Sequence, residues 1–165
     1  MYQIGEFIIY GNNGVCEVED IGLLDISGIN QKKSYYTLKP IYENGQIFAP
    51  VDTNMFTRGL INKDEVEGLI QQIPFLEEIE CNDKNVRLLQ DCYKKLVDTH
   101  ECIDLLTIIK NINEKKSKAA KLGKKLGQVD EKYLKIAKTL IDDEFSVVLG
   151  IPKKEVDSYI EEKLK

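Results

Sequence analysis

Near Asn62 the hydrophobic period of this chain changes from about two to about 3.6, and a single sheet or a single bundle cannot satisfy both. Before that point, short runs rich in β-branched and aromatic residues alternate with turn signals. Residues 6–10 (EFIIY) and 15–21 (VCEVEDI) read as strands, although alternation in the second is imperfect. Gly11-Asn12-Asn13-Gly14 lies between them, and both residue types tolerate the positive φ of a tight turn. Ile26 to Asn30 forms a second turn. Lys33 to Leu38 is a third strand stopped by Pro40, and Asn44-Gly45 turns the chain into a fourth, Gln46 to Val51. Pro50 marks that strand as an end or an edge. Met55 to Ile61 supplies a short fifth. Strands this short, at near-even spacing, predict a small barrel.

Beyond Asn62 the pattern is helical. Asn62 and Glu65 have the spacing of a capping box, opening a helix that Pro74 ends. Residues 75–83 are acidic and connect two domains. Val86, Leu89, Tyr93 and Leu96 form one stripe of the next helix. Asp98 with Glu101 caps a third, from Cys102 to Ile112, which is apolar on more than one face and therefore central. A lysine-rich stretch, Lys115 to Lys125, follows it. A long helix from about Val129 to Leu149 closes on Gly150 as its C′ residue, and Pro152 starts a last one to about Leu164. The expected fold is therefore α+β: a small β-barrel over residues 1–74, then an all-α helical bundle over 75–165.

Charge singles out one segment. The chain carries −5 overall, yet residues 114–138 hold nine basic and three acidic side chains. Six lysines fall between Lys115 and Lys125. Such asymmetry is either a solvated helix surface or a phosphate-binding face. Aromatic residues are sparse there, so single-strand stacking is not suggested.

Catalytic chemistry finds little support. His100 is the only histidine and sits near a helix start, where it reads as a surface or capping residue. No phosphate-binding glycine loop is present. The pairs Glu77/Glu78 and Asp142/Asp143 read as solvated surface. Cys16, Cys81, Cys92 and Cys102 form no Cys-x-x-Cys pair and read as four reduced, mostly buried thiols rather than a metal site. The expectation is a non-enzyme without cofactor, metal or small-molecule substrate. No stretch approaches the ~20 apolar residues of a membrane span, and the N-terminus lacks a signal-peptide pattern. Both place the chain in the cytoplasm.

In this order the parts resemble the CarD/CdnL family of bacterial transcription regulators. The resemblance rests on Ile4-Gly5-Glu6, Ile8-Ile9-Tyr10 and Gly14, on the Gly28 turn, and on the strands Tyr35-Tyr36-Thr37-Leu38 and Ile47-Phe48-Ala49-Pro50. In the helical half it rests on Leu126 to Glu131, then Leu134, Ala137, Leu140 and Glu144. It implies that residues 1–74 form a Tudor-like domain binding the β subunit of RNA polymerase. It implies equally that residues 75–165 contact promoter double-stranded DNA near the melted region and modulate open-complex stability. The implied location is the nucleoid, reached through the polymerase.

By position, the polymerase face includes Leu24, Ile26, Ile47 and Phe48. Ile47 and Phe48 point to opposite faces of a strand, so both cannot be core. The DNA face includes Lys84, Asn85, Arg87 and Lys94, with Lys124 and Lys125 as a second phosphate contact. Arg87 matches a basic position of the family. Many members place a minor-groove tryptophan at the start of the helical domain; this chain has none, and the matching position is near Asn85. The alternative is an adaptor that binds polymerase or another protein without touching DNA.

Overall fold

A computed structural model describes residues 1–81 and 83–165. Residue 82, inside the expected connection 75–83, lies outside it. The chain divides into two units, Met1–Leu60 and Ile61–Lys165.

The first unit is one antiparallel sheet of β1 (Phe7–Tyr10), β2 (Val15–Leu23), β3 (Ser34–Pro40), β4 (Ile47–Pro50) and β5 (Thr57–Gly59), in the order β4-β3-β2-β1-β5. The sheet is open, which corrects the expected barrel. Closure needs end strands long enough to tilt and stagger against each other, and the end strands here have four and three residues.

Between β1 and β2, Gly11–Asn13 makes one 3-10 turn, and Tyr10 N–H donates to Gly14 C=O at 3.2 Å. Gly14 has φ 75° and ψ −147°, a conformation open in practice to glycine alone.

A bulge explains the imperfect alternation of β2. Val18 faces Leu38 and Asp20 faces Thr37, so Glu19 is the extra residue. The bulge returns Ile21 to the face of Cys16 and Val18, opposite Tyr36. That face is the core of the unit: Ile8, Tyr10, Cys16, Val18, Tyr36, Leu38 and Ala49, with Ile21 and Ile47 packed against it.

The second unit holds α1 (Lys63–Gln72), α2 (Val86–Val97), α3 (Cys102–Lys121), α4 (Gln128–Leu149) and α5 (Val156–Lys163). The capping box of α1 forms as its spacing predicts. Glu65 N–H donates to Asn62 Oδ1 at 2.8 Å, and Asn62 N–H donates to Glu65 Oε2 at 3.0 Å. Val66 and Ile70 of α1 are fully buried in the helical core, so the break falls at residue 60 rather than at 74. The connection 75–83 is thus internal to the helical unit.

Other details also depart from expectation. Asp98 ends α2, and α3 starts at Glu101 without a side-chain cap. Thr99 serves the turn instead, accepting Glu101 N–H at 3.2 Å. His100 stands in this connection, half-buried, with φ 57°. Helix α3 continues through the lysines to Lys121, because lysine is a good helix former. Gly150 does close α4 in the left-handed conformation, φ 67°.

Cys81 and Cys92 form a disulfide across eleven positions, with Cα atoms 6.2 Å apart, so the expectation of four reduced thiols fails for this pair. The cause is the extended segment after α1, which returns along α2. Cys16 and Cys102 remain outside it as buried thiols. Burial, then the charge of Glu43, pushes the Cys16 thiol up to about 11.

Asp142 and Asp143 are buried rather than solvated. Lys138 Nζ lies 3.0 Å from Asp142 and 2.6 Å from Asp157, and Lys153 Nζ lies 2.5 Å from Asp143. Glu144 is buried as well: its Oε2 accepts Ile61 N–H at 3.0 Å, and its Oε1 lies 3.2 Å from Cys102 Sγ. It fixes the start of the helical unit to α4. No described helix is long and apolar enough to cross a membrane.

Candidate functional site

The residues singled out above are divided between the two units. In the sheet, β4 pairs with β3 alone. Val51 N–H donates to Ser34 C=O at 3.0 Å. Antiparallel alternation then turns Ala49 and Ile47 toward β3, and turns the N–H and C=O of Phe48 toward the open side. Pro50 presents no donor there. The free edge is therefore short, and Phe48 is where it offers both a donor and an acceptor.

The Phe48 side chain is 38% exposed and shares a sheet face with Thr37, while Ile47 turns inward onto the core. Strand alternation separates the two as expected. Leu24, half-buried, and Ile26, 37% exposed, lie in the loop from β2 to β3, not on the edge. Leu23 was missed by sequence reasoning; it is 67% exposed at the end of β2, carried there by the bulge.

On the helical unit the six predicted DNA residues fall into two separate groups. Lys84, Asn85 and Arg87 are exposed at the start of α2. Asn85 is its N-cap: its Oδ1 accepts Arg87 N–H at 3.1 Å and Leu88 N–H at 3.2 Å. Val86 beside it is 64% exposed. Lys94 lies two turns on, its ammonium 2.6 Å from Asp98, which holds it above the usual lysine range.

Lys124 and Lys125 follow α3 and line a cavity of about 500 Å³ with Lys116, Lys135 and Lys138, against one carboxylate, Glu131. Lys116, Lys121, Lys124 and Lys125 make no ion pair among the described residues. Lys135 was missed because it sits on α4, and only the α3–α4 packing brings it beside the lysine run.

The basic run is less available than its count suggests. Lys115 Nζ lies 2.8 Å from Asp83 and 3.0 Å from Asp130. Asp130 is itself buried and accepts the Tyr93 hydroxyl at 2.6 Å. This chain of polar groups joins α2, α3 and α4. Burial first, then the bond to Asp130, pushes the Tyr93 phenol far above its ordinary value. Burial opposes the Lys115 charge, but the two carboxylates outweigh it and hold the ammonium above the usual range. Tyr159, bonded to Glu67, is pushed up to about 12 by that bond and by burial.

All three groups hold their protons more tightly when folded, so stability is intact below about pH 10 and falls as pH rises beyond it. In urea titrations between about pH 9 and about pH 11, the midpoint should fall more steeply for wild type than for Tyr93→Phe. Equal slopes would remove Tyr93 from the account. Among the described residues, no group of three or more His, Cys, Asp or Glu side chains is placed to hold a metal ion.

Residues 2–54 match the family model described as CarD-like/TRCF RID domain. The matched segment contains β1 to β4, with the β4 edge and all four predicted polymerase-facing residues, and leaves β5 and the helical unit outside. No curated protein matches the chain. The family is one of protein-interaction domains rather than enzymes. By this match residues 2–54 of the N-terminal unit are similar to CarD-like, RNA polymerase-interacting domains.

Proposed function

We propose that the chain is a transcription regulator: its sheet docks on the β subunit of RNA polymerase, and its helical unit contacts promoter DNA and changes open-complex stability. The observation carrying this reading is an unpaired β4 edge inside a polymerase-interacting domain. A partner strand added there would bond to Phe48 and continue the sheet. This role needs no catalytic group or cofactor and places the protein with the polymerase at the nucleoid.

For DNA, the start of α2 offers Lys84 and Arg87 to phosphates, and the α3–α4 connection offers Lys124 and Lys125. Asn85 is occupied as a cap, so an apolar insertion between base steps falls to Val86 next to it. Open-complex lifetime over a salt series tests this. Each of Arg87→Glu and Lys125→Glu should shorten it most at low salt and lower the salt dependence by about one ion per lost contact. Lifetimes equal to wild type at every salt concentration would remove the DNA contact. The second reading, an adaptor without DNA contact, is favoured by the pairing of Lys94 with Asp98 and of Lys115 with Asp83 and Asp130. It predicts that equality, with polymerase binding retained.

A further inference from the structure

The helical unit has a second face, apart from the DNA contacts proposed at Lys84, Arg87, Lys124 and Lys125. A trough of about 1170 Å³ runs between α2, the start of α3 and the segment after α1. It exceeds the ~300–1,000 Å³ usual for small-molecule pockets. Its apolar surface includes Phe75, 84% exposed, with Leu88 at 49% and Ile103 at 37%. Its carboxylates are Glu77, Glu78, Glu80, Asp91, Asp98 and Asp104, against Lys94 and Lys95, and Lys94 is already tied to Asp98. A wall of this sign repels phosphates, so nucleic acid is the wrong occupant.

The wall is also fixed in place. Lys110 Nζ donates to Leu76 C=O at 2.8 Å, and Asn111 Nδ2 donates to Glu77 C=O at 3.0 Å. Ile79 N–H donates to Asn111 Oδ1 at 2.9 Å, and the Cys81–Cys92 disulfide, itself in the lining, ties the segment to α2. The segment is thus held against α2 and α3 before anything binds, which lowers the ordering cost of docking.

We infer that this trough is a docking groove for a basic amphipathic helix of a protein partner. The apolar stripe of that helix lies on Phe75, Leu88 and Ile103, and its lysines or arginines meet the carboxylate rim. This inference is independent of the proposed polymerase contact and of the DNA contacts proposed at Lys84, Arg87, Lys124 and Lys125; of the expected DNA face the trough takes only Lys94, which is paired with Asp98.

The test uses the full chain and a leucine–lysine model peptide with its leucines on one helical face, followed by fluorescence anisotropy. A leucine–glutamate peptide of the same pattern is the control. The leucine–lysine peptide should bind at least about tenfold more tightly than the control. Phe75→Asp should weaken it by about tenfold or more. The triple variant Glu77→Gln/Glu78→Gln/Glu80→Gln should weaken it and flatten its salt dependence. Both changes lie on exposed positions, so loss of fold does not confuse the result. Equal affinity for the two peptides, or binding unaffected by Phe75→Asp, would each overturn the inference.

Discussion

Asp130→Ala is expected to lose about 3–5 kcal/mol of folding stability, read as a large drop in the urea midpoint at neutral pH. Asp130 is 6% exposed and serves two partners from two other helices, the Tyr93 hydroxyl and the Lys115 ammonium. Removing it strands the hydroxyl of a residue that is 3% exposed and leaves Lys115 with Asp83 alone. The cost is mainly that of leaving buried polar groups without partners. Asp130→Asn keeps an acceptor for Tyr93 but loses the charge beside Lys115, so its loss should be smaller. If alanine costs no more than about 1 kcal/mol, the contact behaves as a surface pair, and the three helices are held by packing alone.

Phe48→Pro should weaken binding to RNA polymerase by about tenfold or more, while leaving the thermal midpoint of the free protein near that of wild type. The reasoning is specific to the edge. The Phe48 N–H points away from β3, so proline removes no bond within the sheet. A docking strand, by contrast, loses its donor at that residue, and Pro50 offers none in compensation. Phe48→Ala removes the half-exposed ring but keeps the N–H, so its effect separates side-chain burial from strand addition. Surface plasmon resonance on purified polymerase measures both. Proline and alanine giving the same affinity would assign the contact to the ring and not to the backbone edge.

How far the sequence reached depends on whether each feature is local. The capping box of Asn62 with Glu65 and the Gly150 C′ residue were legible because a helix end is decided within four residues. Pro50 announced an edge strand because a missing donor is a property of one residue. The bulge at Glu19 left only a fault in the alternation, since a bulge is defined by the partner strand. Barrel closure failed for a related reason. Whether β4 meets β5 depends on strand length and twist, which spacing along the chain does not encode.

The helical unit shows the same limit at its site. Lys115 and Lys124 look alike in a lysine run, yet one is tied to Asp83 and Asp130 and the other faces outward. Only the packing of α3 against α4 distinguishes them. Helix α1 was assigned to the sheet's side because Pro74 is the stronger break signal, whereas Val66 and Ile70 pack with the helices. The pairing of Cys81 with Cys92 was hidden for a comparable reason, because only the packing of the segment after α1 against α2 brings the two together.

Amide hydrogen exchange of the full chain, with and without RNA polymerase, bears on the docking account at the level of single strands. In the free protein the Phe48 N–H points off the sheet. Strand addition predicts that exchange across residues 46–50 slows on binding, with a smaller change in β5 at the opposite edge. Polymerase binding that leaves exchange in residues 46–50 unchanged would contradict it.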